Sequence, residues 1–152
     1  MTSHRYKTLL ERYQAAVRHG SYAFPLSELL GFHLTEVEPG RAVIELDSGP
    51  RHLNPIGTLH GGVLSTIADT AMGIAHGSLL GEGESSTTVD LTVHFLRPVT
   101  NGKLRAIARV VKHGRTLTLL EADVLDQDGK LVARASSTCM TLRGGNAPKR
   151  PL

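Results

Sequence analysis

The 152-residue chain has no tryptophan, a single cysteine and only six aromatic residues, three Tyr and three Phe. Its core must therefore be built from Leu, Val, Ile and Ala, and little is left for a surface that stacks nucleic-acid bases. Cys139 stands alone, which excludes an intrachain disulfide and a Cys-rich zinc site within one chain and leaves a small buried core residue as its reading. His52 and His60, with no Cys or acid beside them, fall short of a metal coordination shell. No apolar run approaches 18 residues, and the opening MTSHRYKTLLERYQAAV lacks the uninterrupted apolar segment of a secretory signal. The expected address is the cytoplasm, with no membrane as partner. Strong charge is missing as well. Of 17 basic residues against 14 acidic, Arg5, Arg143, Lys149 and Arg150 sit at the ends, so the body of the chain is nearly balanced. No surface for polyanions follows, and nucleic acid is not an expected partner.

What is present is the composition of a globular domain, 40% hydrophobic and 20% charged, in a length that suits one core. Residues 5–18 place Tyr6, Leu9, Leu10, Tyr13 and Val17 at three- and four-residue intervals, the pattern of an amphipathic docking helix. With its linker it forms a first segment, 1–27. His33–Val37 and Arg41–Leu46 read as a hairpin across Glu38-Pro39-Gly40, and Ser48–Thr58 reads as a loop. From Thr88 to Phe95, Val89, Leu91, Val93 and Phe95 alternate with Thr88, Asp90, Thr92 and His94, the period of a strand. Arg105–Val111, Thr116–Leu125 and Leu131–Leu142 are further strands joined by tight connections. Between the two β regions, Gly61–Ser78 is a long segment with apolar residues at 63, 64, 67, 68, 71, 72, 74 and 75, a helix that should be enclosed on most sides. The expected class is α+β. Five or six antiparallel strands wrap one long helix across 28–142, with an N-terminal helix before them and a flexible tail over 143–152.

Asp69 is the only formally charged residue between Arg51 and Glu82, and its neighbours three and four positions away, Ser65, Thr66, Met72 and Gly73, include no cation. A carboxylate in such a helix needs a polar cleft or a distant Arg. Upstream, Asn54-Pro55-Ile56-Gly57-Thr58-Leu59-His60-Gly61-Gly62 leads into the helix. Two glycines in a first turn allow close approach to the backbone, and the free N–H groups there suit a carbonyl oxygen acquiring negative charge. Plain turn chemistry is the alternative. Eight residues of helix separate Gly61 from Asp69, about 12 Å, too far for both to touch one reacting carbonyl. Two chains with antiparallel helices would set Asp69 of one against Gly61 of the other, giving a dimer with shared sites.

The segments Asn54–Gly62, Ala68-Asp69-Thr70-Ala71, Thr88-Val89-Asp90-Leu91, Phe95-Leu96-Arg97-Pro98 and Gly114-Arg115-Thr116 follow one another in an order and spacing that resembles the hotdog-fold acyl-CoA thioesterases of the PaaI-like type. The resemblance spans about residues 28–142. It implies a helix wrapped by an antiparallel sheet, homodimers whose sheets join, and homotetramers built from two dimers. The substrate it implies is an acyl-CoA, with no metal and no bound cofactor. In that scheme Asp69 activates water or attacks the thioester carbonyl, the Gly61 amide is the oxyanion donor, and Asn54 orients water or the thioester from the opposite chain. His60 supports the loop, and Thr88 helps hold the attacking water. Asp90 and Phe95 belong to the substrate-binding strand, while Arg97 and the turn His113, Gly114, Arg115 and Thr116 contact the pantetheine and phosphates of coenzyme A. One departure is His94, where many relatives carry Asn; a side chain facing solvent is expected. The absence of a Gly-x-Ser-x-Gly elbow argues against serine thioesterases. Two other readings stay open: a hotdog hydratase or dehydratase, for which His60 and Asp69 are a poor acid–base set, and a non-catalytic acyl-CoA sensor, for which the short N-terminal segment supplies no output domain.

Overall fold

The computed structural model of the protein describes residues 6–147. Helix α1 (Leu9–His19) starts three residues later than the tail of apolar spacing, because Thr8 and Glu11 close a reciprocal capping box around its first turn. Gly20, in the left-handed region at φ 60°, ends it. A second helix, α2 (Pro25–Leu30), has no counterpart in the periodicity: it is six residues long, and Leu26 and Leu29 are exposed, so no apolar stripe marks it. Strands β1 (Phe32–Glu38) and β2 (Arg41–Ser48) form the expected hairpin, and a single 3-10 turn, Pro50–His52, interrupts the loop that follows. Then come α3 (Gly61–Gly77), β3 (Ser85–Phe95), β4 (Gly102–His113), β5 (Leu117–Leu125) and β6 (Leu131–Leu142). Of the expected flexible tail, residues 144–146 form a 3-10 turn, and 148–152 lie outside the described residues, as do Arg5, Lys149 and Arg150.

All six strands pair antiparallel in one sheet, in the order β1-β2-β4-β5-β6-β3. The sheet curls around α3, which touches every strand. Directly paired alanines explain how closely the helix can lie. Ala42, Ala108, Ala122 and Ala135 stand opposite one another across β2, β4, β5 and β6, all at most 1% exposed, and form a shallow trough. Val37 and Val93 extend that row at its two ends. From the helix, Leu64, Ile67, Ala68, Ala71, Met72 and Ala75 complete the core. Cys139 is buried there as a small apolar residue. The expectation of a helix enclosed on most sides holds for these positions, but Gly62, Ser65, Thr66, Asp69, Thr70 and Gly73 form a stripe left exposed or half-buried among the described residues.

Near the C-terminal end of α3 the core contains one imidazole. His76 is fully buried, its Nε2 lies 3.2 Å from Thr141 Oγ1, and its Nδ1 has no hydrogen-bond partner. Burial pushes its pKa down to about 4, helped by the neighbouring His113. Below about 6.5 the unfolded chain therefore binds a proton that the folded chain refuses until about 4. Stability falls as pH drops through that window, by up to about 3 kcal/mol in all. Glu36, whose hydrogen bond from Arg41 lowers its carboxyl pKa, adds its loss only at more acidic pH. Thermal melts at pH 7 and pH 4.5 should show a larger drop in Tm for the wild type than for His76→Gln; equal drops would contradict this account.

Candidate active site

Strict alternation along 88–95 would place Thr88 and Asp90 on one face, and the structure does otherwise. The β3–β6 register slips between Thr88 and Asp90, with Val89 as the extra residue of a bulge. Thr88 pairs with Cys139 on the inner face, whereas Asp90 pairs with Thr138 on the outer face. The bulge is pinned from both sides. The Thr138 amide donates to Asp90 Oδ1 at 2.7 Å, and the Ser137 hydroxyl donates to the Asp90 carbonyl at 2.8 Å. Turned inward in this way, Thr88 donates its hydroxyl to Asp69 Oδ1 at 2.9 Å. The carboxylate is half-buried on the uncovered stripe of α3 and opens into a cleft of about 200 Å³ shared with Gly73, Thr87, Tyr13 and Tyr22. Asp69 thus has a polar cleft and a hydroxyl partner rather than a cation. Burial raises the Cys139 thiol behind Thr88, so it stays protonated at neutral pH and offers no competing thiolate.

Two helical turns away, the loop before α3 holds its own shape. Asn54 Oδ1 accepts the amides of Ile56 and Thr58 at 3.0 and 3.1 Å, and its Nδ2 donates to Thr58 Oγ1 at 2.8 Å. One Nδ2 proton remains. His60 is the N-cap of α3, and its Nδ1 accepts the Gly62 amide at 2.9 Å, which leaves the proton on Nε2. The Gly61 amide beside it has no acceptor among the described residues. A Cβ at Gly61 would lie 2.8 Å from the exposed Phe95 ring, so a larger residue there requires that ring to swing aside. Asn54, Gly61, Phe95 and Arg97 line one cavity of about 440 Å³. His52, buried nearby, accepts the Gly49 amide at Nδ1 and contacts the Leu30 carbonyl through Nε2, so it braces the loop. His94 points outward and is exposed, as expected.

The remaining candidates lie at the opposite end of α3. A second bulge, between Val110 and Lys112, turns His113 toward the inner face, where it contacts Thr118 Oγ1 at 2.9 Å and its ring lies tilted 5.9 Å from that of His76 while staying exposed. Gly114 donates to the Leu117 carbonyl, and Thr116 accepts the Thr141 amide, closing the turn that carries Arg115. Within one chain, then, the site residues form three groups: Asp69 with Thr88; Asn54, His60, Gly61, Phe95 and Arg97; and His113 to Thr116. Tyr13 and Tyr22 were not legible as parts of the acid's cleft. Tyr13 carried only the signal of a docking helix, and nothing in the spacing links Tyr22 to α3. His76 was equally hidden, since a lone His among apolar residues gives no sign of what it meets.

A profile of the thioesterase superfamily matches residues 56–133, from the loop ahead of α3 to the start of β6. Acyl-coenzyme A thioesterase 13 from Homo sapiens is 33% identical over 108 residues, covering 69% of this chain and 76% of that protein. Proofreading thioesterase EntH from Klebsiella pneumoniae is 31% identical over 118 residues, covering 78% and 81%. Among solved structures, a thioesterase family protein from Silicibacter pomeroyi superimposes with a TM-score of 0.77 at 34% identity, over 87% of this chain and 99% of that one. The E. coli PaaI protein from the phenylacetic acid degradation operon gives 0.78 at 25% identity, over 93% and 100%. No helix among the described residues is long and apolar enough to cross a membrane. With a central helix in a six-stranded antiparallel wrap and these relatives, the chain belongs to the thioesterase superfamily, as a thioester hydrolase of the hotdog, PaaI-like type.

Proposed function

We propose that the protein hydrolyses an acyl-CoA thioester to a free carboxylic acid and coenzyme A, with Asp69 as the group that starts the reaction. The observation that carries this is the hydrogen bond from Thr88 to Asp69 Oδ1. It fixes Oδ1 of a carboxylate that lines the cleft. From there Asp69 either takes a proton from water as the water adds to the carbonyl, or adds to the carbonyl itself. Both routes need an ionised, aimed carboxylate, and both place negative charge on the carbonyl oxygen. The uncommitted Gly61 amide at the positive end of the α3 dipole is the matching donor. The sulfur leaves as coenzyme A thiol, and the water oxygen ends in the acid.

Gly61 and Asp69 stand about 12 Å apart along one helix, and His113 to Thr116 lie a further turn or two beyond Asp69. A second copy with its α3 antiparallel brings Asp69 to the partner's Gly61 and the 113–116 turn to the partner's Arg97. The open stripe of small residues on α3 leaves room for that copy. Strand β3 supports the same reading, because it is an edge strand whose Val89, Leu91 and Phe95 are 54%, 37% and 55% exposed. The working unit is a homodimer, with a tetramer of two dimers as its larger form. Arg97, Arg115 and His113 are the groups that face coenzyme A, and Asn54 uses its remaining Nδ2 proton toward water or the thioester.

Asp69→Asn should reduce thiol release from acyl-CoA substrates by about 10²–10⁴-fold while the far-UV spectrum stays that of the wild type. Thr88→Val, which removes one hydrogen bond to a charged group, should cost about 10–100-fold in kcat. Wild-type rates in a folded Asp69→Asn protein would overturn the assignment. Leu91→Lys on the free edge should yield monomers by light scattering and lose turnover together with assembly. A fully active monomer would show that the site is complete within one chain.

A further inference from the structure

The proposed reaction leaves one buried titratable group unused. His76, in the last turn of α3, is fully buried, and its Nδ1 has no partner. An imidazole buried with an idle nitrogen costs stability that a leucine in its place would not. Its two polar neighbours lead to one place, the turn 113–116. The Nε2 of His76 lies 3.2 Å from Thr141 Oγ1, and the Thr141 amide donates to the Thr116 carbonyl at 2.8 Å. The His76 ring also lies 5.9 Å from that of His113, tilted by 60°. His113 and Thr116 are the two ends of the turn that carries Arg115. The turn itself is tight. Gly114 donates to the Leu117 carbonyl at 3.0 Å, a Cβ on Gly114 would run into that same carbonyl, and His113 Nδ1 contacts Thr118 Oγ1 at 2.9 Å. A loop closed that tightly shifts as a unit, so the supports at its two ends set where Arg115 stands.

We propose that His76 is a positioning residue for coenzyme A: it ties the 113–116 turn to α3, the helix that carries Asp69, and so sets the span between the reacting carbonyl and the groups that hold the nucleotide end. The inference rests on the reading of His113 and Arg115 as groups that face coenzyme A. His76 touches no substrate itself. It follows Asp69 by seven residues, about two turns of the same helix. In the dimer Asp69 and the turn of one chain serve the same site, so a shift of the turn against α3 changes the length of that site. The chemistry of the ring suits this task. Burial, helped by His113, holds its pKa down to about 4, which keeps it neutral near pH 7. A proton on Nε2 then has Thr141 Oγ1 as its acceptor, and only a lone pair is left idle at Nδ1. Glu84, the nearby carboxylate, is held by Arg143 at 2.6 Å and by the Gly81 amide at 2.8 Å, so its hydrogen bonds are made away from the ring.

The test compares the acyl-CoA that the wild type hydrolyses best with the N-acetylcysteamine thioester of the same acid, whose thiol ends before the pantoate and the nucleotide. His76→Leu should raise KM for the acyl-CoA by about threefold to tenfold with kcat within about twofold of wild type. For the short thioester its kcat/KM should stay that of the wild type. His76→Gln, which keeps an N–H donor for Thr141, should recover most of the loss. If His76→Leu does not fold, Thr141→Val decides, since it removes the hydroxyl but keeps the amide that holds Thr116. An acyl-CoA KM within about twofold of wild type in the deciding variant, or equal losses with both thioesters, would overturn the positioning role. Arg115→Ala separates this outcome from failure of the reading beneath it. A raised KM in Arg115→Ala with none in the His76 variants sinks the positioning role alone, whereas an unchanged KM in Arg115→Ala takes coenzyme A away from the turn and the proposal with it. If no acyl-CoA is hydrolysed at all, the thioesterase reading fails, and the same substitutions are judged by the Kd of coenzyme A from calorimetry.

Discussion

One extra residue in an edge strand decides what the active face presents. Without the bulge at Val89, the pleat would carry Thr88 to the outer surface with Thr92 and His94, and Asp69 would have no hydroxyl partner. The bulge is held by the Asp90 carboxylate on the Thr138 amide, so an acid that never meets Asp69 sets the geometry of the one that does. This changes the meaning of Asp90. Its place among substrate-binding candidates came from the resemblance, and the structure adds that its Oδ1 ties β3 to the neighbouring strand. The bulge at Val111 works in parallel, turning His113 toward His76 while leaving it exposed at the rim of the sheet.

The helix and the sheet divide the labour. The paired alanines of four strands let α3 sink into the sheet, which buries its Leu, Ile and Met side chains without crowding. What remains outward is glycine, serine, threonine and one aspartate. The charged outer face of the sheet is organised differently: Glu36 joins Arg41 and Arg105, Arg109 joins Glu121, and Arg134 joins Asp123. Those pairs are partly exposed and add modestly to stability. The small net charge of the chain thus conceals a clear separation, with salt bridges on the outer face and a nearly uncharged helix carrying Asp69 within.

Much of this was readable in residue order. Periodicity marked α3 and all six strands to within a few residues, and the isolation of Asp69 and the paired glycines at the start of α3 pointed to the two ends of the candidate site. The rest depended on contacts that local pattern does not encode. A strand with perfect alternation gave no hint that Val89 would be skipped, because the cause is a carboxylate bond to a strand nearly fifty residues later. The short helix α2 escaped because its leucines face outward. Tyr13 and Tyr22 came to the acid only through the docking of α1 against β1 and α3.

The strand order has a consequence for how the chain comes into being. Strand β3 pairs within the chain only with β6, the last strand to be made, while β4 and β5 lie between them in sequence. During synthesis at roughly 5–20 residues per second, the segment bearing Thr88 waits a few seconds with no strand to lie against. Asp69 is therefore translated, and its helix free to form, before its hydroxyl partner can be aimed at it. The hydrogen bond between Thr88 and Asp69 is thus set late, and a nascent chain cut short before Leu131 carries Asp69 but not the strand that holds Thr88 against it.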